Sequence, residues 1–187
     1  MNPILLDFPH EFETERLLIR MPKPGDGKAV YHALTASLNE LKPWLPFAHG
    51  EQSEQKTEIN IREAHIKFLQ REDLRFLVFH KDTGQFVCSS GLHRINWDVP
   101  KFEIGYWTDT RFTGKGYTTE AVVGITNFAF TELKAQRVEI RCDPNNIKSR
   151  AIAKKLNFVL EGTLRKDTPS ADGSTLCDTC IYAKITP

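Results

Sequence analysis

The sequence predicts an α/β chain of the α+β kind, a mixed and mostly antiparallel sheet packed by helices. Short β-type runs and longer helical runs follow one another in the order β-α-α-β-β-β-α-β-α-β-β. The turns DTGQ (82–85) and NWDVP (96–100) join neighbouring β runs as hairpins, which argues against a parallel doubly wound sheet. No internal repeat, low-complexity segment or Gly/Ser linker interrupts the 187 residues, so one domain over 1–187 is expected.

The elements follow from period and punctuation. RLLIR (16–20) is a short strand, and the Pro-rich MPKPGDG after it is a loop. Ala29, Val30, Ala33, Leu34 and Leu38 recur at helical spacing and predict a helix over 28–38. LKPWLPF (41–47) is broken by Pro43 and Pro46 and is read as irregular. A second helix follows the polar residues 51–60, with Ile59, Ile66 and Leu69 as its expected anchors. LRFLVFH, FVCSSGLHRI and FEIGYWT then alternate as strands. Residues 116–133 form a long helix with Ala121, Val122, Ile125, Phe128 and Ala129 on one face. RVEIRC (137–142) is a short strand, NNIKSRAIAKKLNF a helix ending near Asn157, and FVLEGTLRK and TLCDTCIYAKI are closing strands around a PSADG loop.

Bulk composition excludes several classes. The chain is 40% hydrophobic and 26% charged, with 25 basic against 24 acidic residues and a net charge of +1. That balance gives no basic face for direct nucleic-acid binding. No apolar run approaches the ~20 residues of a membrane span. No signal peptide is visible at the N-terminus, so a cytoplasmic protein is expected. Cys88, Cys142, Cys177 and Cys180 are too few for a disulfide scaffold. Cys177 and Cys180 form a CxxC without a second ligand pair, and on a strand they point to opposite faces, so no metal is expected.

The stretch DTRFTGKGYTTEA (109–121) carries the chemistry. It sits between a strand and a helix and holds two glycines, Gly114 and Gly116. Glycine at a helix start lets an anion approach backbone N–H groups that carry partial positive charge. A Walker loop is excluded, because Asp109 stands where its first glycine belongs and Gly116 is followed by Tyr117. A dinucleotide fingerprint is excluded by Thr119 in its third glycine position. Arg111, Gly114 and Gly116 do match [RQ]xxGxG without a gap.

That pattern resembles the pyrophosphate loop of the GNAT superfamily of N-acetyltransferases. TERLLIR, KPWLPF, EIGYW, GKGYTTEA, NNIKSRAIAKKLNF and LEGTLR occur in order. Together they resemble the ribosomal-protein N-terminal acetyltransferases of the RimJ/RimL type, from about residue 10 to the end. The resemblance implies a GNAT fold with helices on both faces of the sheet. It also implies a splay between the fourth and fifth strands, with acetyl-CoA as cofactor. Backbone amides from Phe112, Thr113, Gly114, Lys115, Gly116, Tyr117 and Thr118 would hold the diphosphate, and the Arg111 and Lys115 side chains would add charge. Tyr106, Trp107 and Thr108 would contact the pantetheine, with an N–H near Tyr106 as oxyanion donor and Gly105 at a bulge.

Asn146 would bond the pantetheine, and Ser149 would serve the departing thiolate. Both are also good helix-capping residues. Glu103 is the first candidate base, and a strand-edge charge is its plain reading. Relatives with a catalytic glutamate after the LEG segment align it with Thr168, beside Asp167, so this chain departs from that pattern. Trp44, Phe47, His93 and Trp97 are expected to wall the acceptor side, with core or surface roles as the alternative. Cys142 is read as a small buried residue, not a covalent carrier.

The expected activity is acetyl transfer by direct attack to a primary amine, foremost a protein or peptide N-terminal α-amine. The alternatives are a small-molecule amine (polyamine, aminoglycoside or amino acid) and a CoA-binding module without turnover. Glu51, Glu54, Glu58 and Glu63 would suit a polycation, or be a solvated face. A monomer or homodimer is expected.

Overall fold

The computed structural model describes residues 2–186. The strands are β1 (Glu11–Glu13), β2 (Leu17–Arg20), β3 (Leu74–His80), β4 (Phe86–Asn96), β5 (Lys101–Thr108), β6 (Arg137–Cys142), β7 (Val159–Pro169) and β8 (Leu176–Ile185). The helices are α1 (Gly27–Leu41), α2 (Glu54–Gln70), α3 (Tyr117–Thr131) and α4 (Ile147–Lys155). The strands form one sheet in the order β1-β2-β3-β4-β5-β6-β8-β7. Every pairing is antiparallel except β5 with β6, because α3 carries the chain back over the sheet between them.

Each face of the sheet is covered. Ala121, Val122, Ile125, Phe128 and Ala129 of α3 are all buried, as their helical spacing predicts. They pack with Phe76 and Val78 of β3 and Ile104 of β5, while Ala153 of α4 and Phe158 extend the same core. On the opposite face Val30 and Ala33 of α1 and Ile61 of α2 pack on Leu77 and Phe79. Among the described residues, no helix is long and apolar enough to cross a membrane.

Two sequence expectations need correction. β1 was not expected, since three residues carry no period; it exists because Glu11–Glu13 pairs in register with Arg20–Leu18 of β2. The strands read as fourth and fifth are therefore β5 and β6. The anchors of α2 also differ: Ile59, Ile66 and Leu69 are exposed, and the buried face is Thr57, Ile61, Ala64 and Phe68. An apolar residue is no guide to the buried side when a helix of low apolar content carries such residues on both sides.

Polar groups fix the helix entries. The Ser53 hydroxyl accepts from Lys56 N–H at the start of α2. Both carboxylate oxygens of Glu58 accept N–H groups of the α1 entry, Gly25 at 2.8 Å and Gly27 at 2.9 Å. A Cβ on Gly27 would lie 2.5 Å from Glu58 Cα, so only glycine lets the helices approach this closely.

Phe76 is fully buried, with ring centroids 5.6 Å from Phe12, 5.4 Å from Phe68 and 5.4 Å from Phe128. Phe76→Ala is expected to cost about 3–5 kcal/mol in urea unfolding. A loss under about 1 kcal/mol would mean that this aromatic cluster is not a rigid part of the core.

Candidate active site

The site begins where two strands part. β5 and β6 pair only through Lys101↔Arg137, Phe102↔Val138 and Glu103↔Glu139. Beyond Glu103, β5 stays on β4 as far as Thr108, and β6 stays on β8 as far as Cys142. Each strand thus keeps one partner, and the facing edges diverge.

The phase of the β5 backbone is set by two contacts. Asp109 N–H donates to Val87 O at 3.0 Å, and Ser90 Oγ donates to Gly105 O at 2.8 Å, both toward β4. Backbone groups alternate sides along a strand. Odd residues therefore serve β4, and Ile104, Tyr106 and Thr108 turn their N–H and C=O groups to the open side. This corrects the reading of Trp107. Its backbone is committed to β4, and its indole packs at 5.5 Å from Phe86 on the α1 face. Gly105 is not at a bulge either; it pairs regularly with Gly91, and the register shift falls between His93 and Asn96.

Side chains span the parting. Tyr106 Oη lies 3.0 Å from Ser149 Oγ and donates to Ser149 O at 3.2 Å. Burial pushes the Tyr106 phenol above its ordinary value, and the Ser149 hydrogen bond opposes this only in part. Asn146 Oδ1 accepts from Ser149 N–H at 3.1 Å, so Asn146 caps α4, leaving its Nδ2 side available. Burial also raises the Cys142 thiol to about 11, which keeps it protonated and poorly nucleophilic. All four cysteines are free thiols.

The mouth of α3 lies beyond the end of β5. Gly114 and Gly116 take left-handed conformations, φ +75° and +80°. Phe112 N–H donates to Asp109 O and Thr113 N–H to Thr110 O, closing a 3₁₀ turn, so these two amides are spent, contrary to expectation. Among the described residues, the amides from Gly114 to Thr119 donate to no protein acceptor. Thr108 Oγ1 meets Thr118 Oγ1 at 2.6 Å and ties the strand to the helix. The Arg111 guanidinium is held by buried Asp109 at 2.9 and 3.0 Å. Lys115 Nζ donates to Arg111 O at 3.0 Å.

The sequence did not single out Arg16 and Glu120. Glu120 Oε1 accepts from Thr14 Oγ1 at 2.6 Å and Arg16 N–H at 2.8 Å, and Oε2 accepts from Arg16 Nε at 2.7 Å. The Arg16 guanidinium covers the Tyr117 ring at 4.3 Å, beside Gly116. Both residues fall inside quoted motifs, TERLLIR and GKGYTTEA, yet their pairing spans 104 positions and leaves no local signal.

On the other side of the sheet a cavity of about 190 Å³ is lined by Trp44, Arg94, Glu103, Arg141, Asp143 and Thr168, among others. Glu103 lies 3.5 Å from Arg94 Nε and 3.9 Å from Arg141 Nε. Burial raises its carboxyl above the ordinary value, and Arg94 and Arg141 offset this only partly. Asp167 is held by Arg141 Nη2 at 2.8 Å. Of the expected wall, only Trp44 lines this cavity. Phe47 sits 6.4 Å from Trp107, and His93 lies on the sheet across from Glu103. Trp97 turns into the core, 5.2 Å from Phe102, with its Nε1–H on Arg71 O. Two of the four expected acidic residues are spent elsewhere: Glu51 pairs with Lys56, and Glu58 caps α1 and pairs with Arg62.

A family model described as an acetyltransferase (GNAT) domain matches residues 16–159. This chain belongs to the GNAT acetyltransferase family. It is 31% identical over 155 residues to the "Putative ribosomal N-acetyltransferase YdaF" of Bacillus subtilis (strain 168), covering 81% of this chain and 82% of that one. It is 27% identical over 173 residues to the ribosomal-protein-serine acetyltransferase of Escherichia coli (strain K12), covering 92% and 94%. The RimL ribosomal L7/L12 α-N-protein acetyltransferase, solved with coenzyme A, shares the fold at TM-score 0.85 and 20% identity over 92% of this chain and 95% of that one.

A GNAT enzyme is an acyltransferase that uses acetyl-CoA. The residues present fit that group: a run of undonated amides opens at a helix N-terminus, and an unpaired strand edge leads from it to Ser149. Glu120 holds the mouth in shape. Burial alone would raise its carboxyl, but the bonds from Thr14 and Arg16 outweigh this and hold it below 4.5. Its contribution is therefore present above that pH and is lost as pH falls through the lower folded value. Glu120→Gln is expected to cost about 1–3 kcal/mol at pH 7. The variant should also show a shallower loss of stability below pH 4.5 than the parent. Parallel stability–pH curves would refute this role.

Proposed function

We propose that the chain acetylates the α-amine of a protein or peptide N-terminus, with the parted β5 and β6 edges holding the pantetheine arm. Two relatives are named for ribosomal-protein acetylation, which supports a polypeptide acceptor. The observation that carries the reading is the continuous path from the α3 mouth, along the open even-numbered edge of β5, to Tyr106 and Ser149. Bound acetyl-CoA supplies a thioester-activated acetyl group.

In this reading the amides of Gly114, Lys115, Gly116, Tyr117 and Thr118 hold the diphosphate, with Arg16, Arg111 and Lys115 supplying positive charge around them. The Tyr106 and Thr108 backbone groups pair with the pantetheine amides, and Tyr106 N–H faces the acyl oxygen. Asn146 Nδ2 donates toward the arm. The Ser149 Oγ proton, which faces Tyr106 Oη in the free chain, turns to the departing sulfur. The acceptor enters from the cavity side, past Trp44, and Glu103 takes its proton.

An N-terminal acceptor suits a weak base. An α-amine of pKa near ~8 is roughly a tenth neutral at pH 7, whereas a lysine near ~10.4 is only about 0.04% neutral. Glu51 and Glu58 are engaged with the chain itself, so a polycation reading has no support from them.

The test is release of CoA thiol from acetyl-CoA with peptides beginning Ser or Ala, polyamines or aminoglycosides as acceptors. Peptide-dependent release is expected; release only with the small amines would overturn the acceptor. Gly116→Trp is expected to abolish acetyl-CoA binding by calorimetry, because an indole would fill the diphosphate position; unchanged affinity in the folded variant would reject that position. Ser149→Ala is expected to slow turnover with little change in cofactor affinity. An unaltered rate would leave Ser149 with no role beyond its main-chain cap.

A further inference from the structure

A bulge in β4 turns Arg94 onto the acceptor face. Regular alternation would put Leu92 and Arg94 on one side of the sheet. From His93 to Asn96, however, three steps on β4 oppose two on β5, Glu103 to Lys101, so β4 carries one extra residue there. Arg94 takes a left-handed conformation, φ +45°, which a non-glycine residue adopts against its preference. Leu92 and Ile95 both pack into the core that α3 covers. The two residues between them turn the other way. His93 goes to Asp73, with Nδ1 2.7 Å from Oδ2. Arg94 stands at the rim of the cavity beside Glu103, its Nε 3.5 Å from Oε2 and its side chain 66% exposed.

The charged groups lining that cavity are Arg94, Arg141, Glu103, Asp143 and Asp178. Arg141 Nη2 is held by Asp167 at 2.8 Å. Asp143 accepts Asn145 N–H at 2.7 Å, and Asp178 accepts Lys166 N–H at 2.9 Å. Among the described residues, the one ion partner of Arg94 is Glu103, through Nε, and no hydrogen bond engages Nη1 or Nη2. A guanidinium presents paired donors that a carboxylate accepts side by side. It repels an ammonium, so the acceptor amine is not the group it reads.

We infer that Arg94 is a specificity-determining residue that binds a carboxylate on the acceptor, carried by the side chain of the acceptor's second residue. This rests on the N-terminal acetyltransferase reading and narrows its substrate class to polypeptides with an acidic second position. An amine that gives its proton to Glu103 lies about 3 Å from that carboxylate. One residue of extended chain spans at most ~3.6 Å. The second side chain therefore comes level with the guanidinium at the rim while the amine stays inside.

The test compares thiol release with peptides that differ only in beginning Ser-Asp, Ser-Asn or Ser-Lys. The unaltered chain is expected to favour Ser-Asp over Ser-Asn about fivefold in kcat/KM, with Ser-Lys last. Arg94→Gln is expected to bring the Ser-Asp to Ser-Asn ratio to about one. Removing Arg94 also takes a cation from beside Glu103, but that change acts on both peptides alike and cancels in the ratio. Equal use of Ser-Asp and Ser-Asn by the unaltered chain, or a preference that Arg94→Gln keeps, would overturn the inference. So would free serine serving better than the Ser-Asp peptide, since the carboxylate bound would then be the one next to the amine. If no peptide is acetylated, the N-terminal reading itself falls and takes this inference with it. If all three peptides are acetylated equally well, that reading stands and only the role of Arg94 falls.

Discussion

The site depends on one constraint: β5 and β6 stop pairing after Glu103. A parallel pair that continued would satisfy the backbone of Tyr106 and Thr108 and seal the sheet. Because it stops, two strands expose edges that are already braced from behind, β5 by β4 and β6 by β8. An exposed edge is a liability for most sheets and a ready template for an extended, amide-bearing ligand. Here the edge is short, internal and flanked by side chains, so it is closed to pairing with another sheet.

What keeps the gap open is polar rather than apolar. Tyr106 reaches over it to Ser149, Thr108 fastens the far end to Thr118, and Glu103 holds the near end to Arg141. These contacts connect the strand to both helix N-termini, α3 and α4. A shift of either helix therefore moves the whole path at once. The Thr14–Glu120–Arg16 lock serves the same end, since it joins the start of β2 to the first turn of α3.

The sequence was legible where chemistry is local and opaque where it depends on pairing. Gly114 and Gly116 announced a left-handed loop before a helix, and both have positive φ. The apolar face of α3 is strongly periodic and was read correctly. Phe112 and Thr113 were assigned free amides because a motif shows residue types but not the 3₁₀ turn that uses those N–H groups. Trp107 was misread because the side of a strand on which a backbone group points is set by its neighbour, here through Asp109 and Val87. Gly105 looked like a bulge residue, whereas its lack of a Cβ accommodates a histidine one strand away. Trp97 looked like a cavity wall because an aromatic near a hairpin gives no clue whether it turns outward or under the sheet.

Thr168 lines the same cavity as Glu103 and Arg141, beside a row of charges that crosses the sheet. Asp73, His93, Glu103, Arg141 and Asp167 form a row of polar groups that runs from the start of β3 to β7 on one face. Within such a row neighbouring cations favour the charged carboxylate and burial disfavours it, and for Glu103 burial is the larger effect. A carboxyl raised in this way is a better proton acceptor than an ordinary surface glutamate.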